Sequence, residues 1–189
     1  MRNSCVDIVG KALTNNVKLK VQYGNNNMIR FGGGICHNCK VSFAGNDNQL
    51  IIGQGVDMYN VIFSFVGSGN IIIIGKDTYF DGNDEFFVGG GTKISVGENC
   101  MFAKNVSVRT TDSHRIINES GDIINNEKDV VLGRHVWIGM DSLLLKGTTI
   151  EEGCIVAARS LVTSSCMSEK NCLIAGSPAK KIKKKIQWT

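Results

Sequence analysis

Between Leu132 and Cys166 an aliphatic residue returns at every sixth position: Leu132, Ile138, Leu144, Ile150, Val156 and Val162. The fifth place of each block is small or β-branched: Val136, Ser142, Thr148, Cys154, Ser160 and Cys166. A period of six does not fit a helix, because residues six apart diverge around a 3.6-residue turn. It does not fit one long strand either, since strand faces alternate every two residues. It fits a coil of short strands, each turn stacked on the last and refilling the same interior column. The pattern therefore predicts an all-β solenoid, a parallel β-helix of six-residue repeats.

The same rhythm runs more loosely upstream, from Ile35 and Val41 through restarts at Ile52, Ile74 and Val96. Positions 132 and 150 are 18 apart, which is three blocks and one triangular turn. Positions 52, 74 and 96 are 22 apart, so each of those coils carries four further residues. The Gly-rich tetrads Gly67–Asn70 and Gly89–Thr92 are the expected places for them, because such tetrads make surface turns. From 96 to 132 is 36, a surplus of 18 over the short coil. That surplus falls on about 114–131, polar and aperiodic, and is expected as an inserted loop. The expected organisation is one repeat domain over 1–189: an N-terminal cap over about 1–30, the β-helix over 31–166, and a C-terminal tail or short helix over 167–189. A solenoid needs its open end covered, hence the cap.

Composition narrows the class. With 42% hydrophobic residues, 22 Gly and one Pro, the chain is turn-rich without being disordered. Aromatics at 7% suit a narrow interior of aliphatic and small side chains. The longest aliphatic run, Ile71–Ile74, is too short to cross a bilayer, and MRNSCVDIVGK lacks the apolar core of a signal peptide. Seven cysteines, an odd number, are expected as reduced thiols in a cytoplasmic protein. Cys39, Cys100, Cys154 and Cys166 occupy fifth places and read as small buried hydrophobes. Cys36-His37-Asn38-Cys39 has the look of a metal or redox motif, but no second Cys/His pair stands at ligand spacing, so no metal is expected. The net charge of +4 is concentrated in the C-terminal lysines. Five lysines without interleaved aromatics do not make a nucleic-acid module.

Four local motifs remain: Asp112-Ser113-His114 at the head of the long loop, Val136–Gly139 (VWIG), Ala157–Thr163 (AARSLVT) and Ala175–Lys183 (AGSPAKKIK). Together with the repeat, these make about 35–183 resemble the hexapeptide-repeat acyltransferases. Among them, the galactoside-type and the bacterial sialic acid and capsular polysaccharide O-acetyltransferases are most similar. The resemblance implies a left-handed coil, which the period cannot supply, since parallel crossovers are otherwise nearly always right-handed. It also implies a homotrimer with active sites between subunits, acetyl-CoA as co-substrate, and a sugar hydroxyl of a bacterial surface glycan or its precursor as acceptor.

Acetyl transfer from a thioester to a hydroxyl needs a base, donors for the developing oxyanion and a groove for the carrier. The resemblance assigns His114 as general base; alone, it reads equally well as a solvated turn histidine. Asp112 is expected to orient the imidazole or to bind acceptor hydroxyls. Trp137 is expected beside the histidine and the acyl carrier, or as an indole covering the subunit seam. Gly139, Ala157, Ala158, Thr163, Ser164, Lys180 and Lys183 match the coenzyme A positions. Relatives often carry Lys where Ser164 stands. Asn83, Asp84 and Glu85 are the acceptor candidates, while His37 and His135 are expected to be structural. Two rival readings stay open here: N-acetylation of a nucleotide-linked amino sugar, and a non-catalytic or metal-binding trimer, the latter disfavoured by only three histidines.

Overall fold

The computed structural model describes residues 4–189. Its strands fall into three parallel sheets, the faces of a prism wound by a β-solenoid of about eight turns, the architecture of the left-handed β-helix. The first face holds Cys5–Ile8, Met28–Phe31, Gln49–Ile52, Ile71–Ile74, Lys93–Val96, Val130–Leu132 and Thr149–Ile150. The second holds Ala12–Asn15, Gly34–His37, Val56–Tyr59, Tyr79–Phe80, Met101–Phe102, Trp137–Ile138, Ile155–Val156 and a terminal pair, Cys172–Gly176 and Ala179–Lys184. The third holds Lys18–Tyr23, Lys40–Ala44, Ile62–Val66, Glu85–Gly89, Ser107–Arg109, Leu143–Leu144 and Leu161–Val162.

Register turns the sequence period into columns. Ile8, Phe31, Ile52, Ile74, Val96, Leu132 and Ile150 are successive partners on the first face. All the expected coil starts from Ile52 to Ile150 thus share one column. Rungs stack so closely at the corner after that column that side chains are excluded: a Cβ on Gly97 would lie 2.5 Å from the carbonyl carbon of Gly133. The four additional residues of the longer coils are where the glycine tetrads lie, between Val66 and Ile71 and between Gly89 and Lys93.

The interior differs from the expectation of aliphatic and small residues alone. Seven of the eight phenylalanines face inward and are buried, clustered from Phe31 to Phe102. They stack from rung to rung, Phe43 on Phe65 and Phe80 on Phe102 with ring centroids 4.7 Å apart in both pairs. Burial of Cys39, Cys100, Cys154 and Cys166 agrees with their fifth-place reading.

Both ends depart from expectation. Residues 1–3 of the expected cap lie outside the described residues. From Cys5 onward the supposed cap is a full coil, its three strands paired in parallel with the next three. Among the described residues no rung pairs with it from below, and inward residues such as Ile8 and Leu19 are exposed, so its rhythm is hard to read. At the other end there is no helix. Leu173 and Ile174 add one more rung on Ile155 and Val156, and the chain then folds back as an antiparallel strand, Ala179–Lys184. Cys172 and Ile174 alternate inward along the first strand of the pair, and Ala179 is buried at the start of the second, whose lysines are exposed or half-buried. The loop occupies 110–129, slightly earlier than expected, with one antiparallel bridge between Ile117 and Ile123.

Candidate functional site

The site is best built from the corner between the third and first faces. A column of buried side-chain amides climbs the prism there. Asn48 Nδ2 donates to Asn27 Oδ1 at 3.0 Å, and Asn70 Nδ2 donates to Asn48 Oδ1 at 2.8 Å. Asn70 Oδ1 then accepts from the Gly91 amide at 2.9 Å. Hydroxyls continue the column: Thr92 Oγ1 donates to Thr110 Oγ1 at 2.6 Å, and Thr110 Oγ1 accepts the Gly89 amide at 3.1 Å. The column ends where the long loop begins. One residue on, Thr111 Oγ1 accepts from the Ser113 amide at 3.0 Å, which fixes the turn that presents His114.

The loop is pinned at a second point. Asp112 Oδ2 receives the Lys146 ammonium and the Asn125 amide, the latter at 2.8 Å. Asn125 Nδ2 also donates to the His114 carbonyl at 2.8 Å, its Oδ1 accepts from the Ile116 amide at 2.6 Å, and its own carbonyl accepts from Lys146 Nζ at 2.6 Å. The Lys146 ammonium and then the Asn125 amide hold the Asp112 carboxyl below the usual carboxylate range. Asp112 therefore holds the backbone around His114. It makes no hydrogen bond to the imidazole, which is exposed and has no hydrogen-bond partner among the described residues.

Trp137 is elsewhere. It lies outward on the second face, in register between Met101 and Ile155, whereas His114 lies at the corner opposite that face. The indole Nε1–H is buried without an acceptor among the described residues. The C-terminal segment returns to this face: Trp188 stacks on His135 at 3.9 Å with planes 4° apart, and its ring centroid is 6.0 Å from that of Trp137. Trp188 Nε1 donates to the His135 carbonyl at 3.0 Å, and the Trp188 carbonyl lies 3.1 Å from His135 Nε2. Those contacts hold His135 in its left-handed conformation, φ 53°, at a corner where other coils use Asp77 and Asn99.

The expected carrier positions spread over two corners. Gly139 is buried, and its missing side chain has a structural cause, since a Cβ would come 2.5 Å from the Ala158 nitrogen one rung on. Ala157 carries its carbonyl to Ser142 and Ser160, at 3.1 and 2.6 Å, while Ala158 is exposed beside it. Thr163 and Ser164 sit at the same corner as His114 and Lys146, Thr163 Oγ1 being 2.7 Å from Ser165 Oγ. Lys180 and Lys183 project from the last strand with no ion-pair partner among the described residues; Lys181 and Lys184 instead share Glu169, at 2.9 and 3.1 Å. Of the acceptor candidates, Asn83 is exposed and Glu85 is 3.9 Å from Arg109. Asp84 is fully buried, its Oδ1 accepting the Val106 amide at 2.8 Å, so its carboxyl is withdrawn from any acceptor. Among the described residues no cluster of three or more His, Cys, Asp or Glu is placed to hold a metal, and no helix is long and apolar enough to cross a membrane.

Sequence reasoning missed Lys146 and Asn125. Lys146 carried a faint signal, as the only lysine in the regular six-block run, one coil beyond the loop at the corner where the loop departs.

Comparison with known proteins places this geometry. Residues 129–164 match the family described as bacterial transferase hexapeptide (six repeats). A crystallographically determined polysialic acid O-acetyltransferase, OatWY, superposes with a TM-score of 0.79 at 32% identity, covering 100% of this chain and 90% of that one. Curated polysialic acid O-acetyltransferases match over shorter stretches. That of Escherichia coli O1:K1 is 34% identical over 90 residues, 47% of this chain and 29% of that protein. That of Neisseria meningitidis is 47% identical over 49 residues, 25% and 23% of the two chains. The matched stretches thus span under a third of these curated relatives.

Proposed function

The chain belongs to the bacterial hexapeptide-repeat acyltransferases, and from that premise we propose that it transfers an acetyl group from acetyl-CoA to a hydroxyl of a bacterial surface glycan. The observation that carries the reading is the presentation of His114: an exposed imidazole with no hydrogen-bond partner among the described residues, on a loop pinned at its backbone by Asp112, Asn125 and Lys146. A general base needs an accessible ring in a fixed place.

In the reaction the imidazole takes the proton of the acceptor hydroxyl as its oxygen attacks the thioester carbonyl. The tetrahedral oxyanion collapses, the C–S bond breaks, and the histidinium returns the proton to the departing thiolate. Ala158, Thr163 and Ser164 flank the carrier, and Lys180 and Lys183 offer charge to its phosphates. Trp137 supplies an apolar wall and an N–H without an acceptor among the described residues. His114 and Trp137 lie on opposite sides of one prism, so a shared site requires a second subunit to bring its second face to the loop corner. A cyclic homotrimer with three such sites satisfies this.

The experiment is thiol release from acetyl-CoA in the presence of acidic and neutral bacterial glycans. Release should depend on acceptor and fall by about 10²–10⁴-fold in His114→Ala. Equal release by His114→Ala would remove the histidine from the mechanism, and release independent of every acceptor would remove the transfer.

A further inference from the structure

A recess of about 590 Å³ opens on the second face next to Trp137, lined among others by Asp77, Tyr79, Asn99, Met101, Arg134 and Trp188. The chain itself builds its aromatic wall. Beyond the last strand, the segment with Ile186 and Trp188 descends the corner between the first and second faces. The Ile186 amide donates to the Asn171 carbonyl at 3.0 Å, and two rungs lower Trp188 Nε1 donates to the His135 carbonyl, also at 3.0 Å. That bond satisfies the one polar group of the indole, so the ring brings no unmet hydrogen-bond demand to the recess. One face of the ring is occupied by His135, parallel at 3.9 Å. Trp188 is only half-buried, and its remaining surface lines the recess. Anchoring does not explain a tryptophan here, since Ile186 already ties the segment to Asn171 and the indole lies outside the buried core.

The position of the recess follows from rung order. Outward residues of the second face stack as Tyr79, Met101, Trp137, Ile155 and Leu173. Of the carrier positions on this face, Gly139 is level with Trp137. Ala157 and Ala158 follow the strand one rung beyond, and Lys183 is in register with Leu173, two rungs beyond. The recess takes the rungs on the other side of Trp137, those of Tyr79 and Met101. A carrier and a second substrate thus approach Trp137 from opposite directions. The Trp188 ring centroid is 6.0 Å from that of Trp137, so a ligand on Trp188 lies beside the site.

The rim is polar. Asp77 and Asn99 occupy successive places of the corner, both exposed and both with φ 55°. Arg134 is exposed and has no ion-pair partner among the described residues. A fixed aromatic surface flanked by a carboxylate, an amide and a guanidinium suits a pyranose: its C–H face packs on the indole while its substituents reach the rim.

We propose that Trp188 contacts the acceptor and helps to select it: the sugar ring that carries the reacting hydroxyl stacks on this indole, opposite Tyr79, with Asp77, Asn99 and Arg134 around its substituents. The inference rests on the acetyltransferase reading for the reaction, though not for the binding.

The first test needs no turnover. Trp137→Phe leaves Trp188 as the sole tryptophan of the sequence. Its emission is followed while trisialic acid, and separately maltotriose, is added to the full chain. Saturable quenching by at least one of the two sugars is expected; quenching by neither overturns the proposal. The second test is steady-state acetylation of the sugar that quenches, with thermal melting to verify the fold of each variant. Trp188→Ala should raise KM for that sugar about tenfold and leave KM for acetyl-CoA unchanged. Trp188→Phe, which keeps an aromatic face, should recover most of the loss. An unchanged sugar KM in Trp188→Ala, or an equal rise in KM for acetyl-CoA, overturns the contact. Quenching without any transfer by the wild type sustains the recess as a sugar site and removes the acetyltransferase reading; transfer that ignores Trp188 does the reverse.

Discussion

The lower and upper coils of one solenoid solve the same packing problem differently. From Ile52 to Val96 each turn takes 22 residues, the third-face strands run to five residues, and the interior is filled by phenylalanines. From Leu132 to Val162 each turn takes 18, the strands shrink to two, and Leu, Ile, Val, Ser and Cys fill the space. Phe63 and Phe86 stand in the same column as Leu144 and Val162, so the cross-section narrows where the repeat becomes strict. The longer perimeter also opens room for buried amides at one corner and for exposed amides at another. The lower coils thus carry a buried amide column and a groove lined by asparagines and lysines, while close-packed glycine corners run through both regions, from Gly75 against Gly97 to Gly139 against Ala158.

The comparison is broken most severely by emptying the wide interior. Phe80→Ala, which removes a ring stacked on Phe102 and edge-on to Phe86, should cost about 3–5 kcal/mol in denaturant unfolding. Next is Asp84, whose carboxyl burial pushes up to about 7 from an ordinary 3.8. The folded state prefers the protonated form, so stability should fall as pH rises from about 4 to about 7, by on the order of 4 kcal/mol for a shift of about three units. Asp84→Asn keeps the acceptor for Val106 and should abolish that slope in unfolding measured across the window. Asn48→Ala interrupts the buried column and leaves Asn27 Oδ1 without its side-chain donor. About 1–3 kcal/mol is expected, read from the urea midpoint, with faster amide exchange toward Gly67. Of similar size is Leu144→Phe, which puts a lower-coil residue into an upper coil. Overpacking should cost about 1–3 kcal/mol although Phe86 fits the same column two rungs away.

The upper coils were legible from sequence because every block opens on a buried aliphatic residue, carries a small or β-branched residue at its fifth place, and every turn is short. The columns through Ile52, Ile74, Val96, Leu132 and Ile150 are those the spacing predicts. The first coil was missed because, among the described residues, no rung pairs with it from below and its inward positions are exposed rather than uniformly buried. The C-terminal hairpin was missed because a lysine-rich stretch, largely exposed even when paired, reads as a solvated tail until it is seen against Cys172–Gly176. Asp84 looked like surface chemistry beside Asn83 and Glu85. Yet it occupies the fifth place of the block that starts at Phe80, the place that is buried elsewhere. At the candidate site, His114 and Asp112 were legible as a motif at the broken rhythm. The partners of Asp112 were not, since Lys146 and Asp112 are 34 residues apart and meet only because coils stack.

The central claim is that His114 and Trp137, on opposite sides of one chain, form a site only across a subunit boundary. Mixing inactive His114→Ala and Trp137→Ala chains under conditions that exchange subunits tests it directly. If each site takes its histidine from one subunit and its indole from the next, random trimers should regain about a quarter of wild-type acetyl transfer. Mixed trimers that form, as verified by mass, but stay inactive would contradict it.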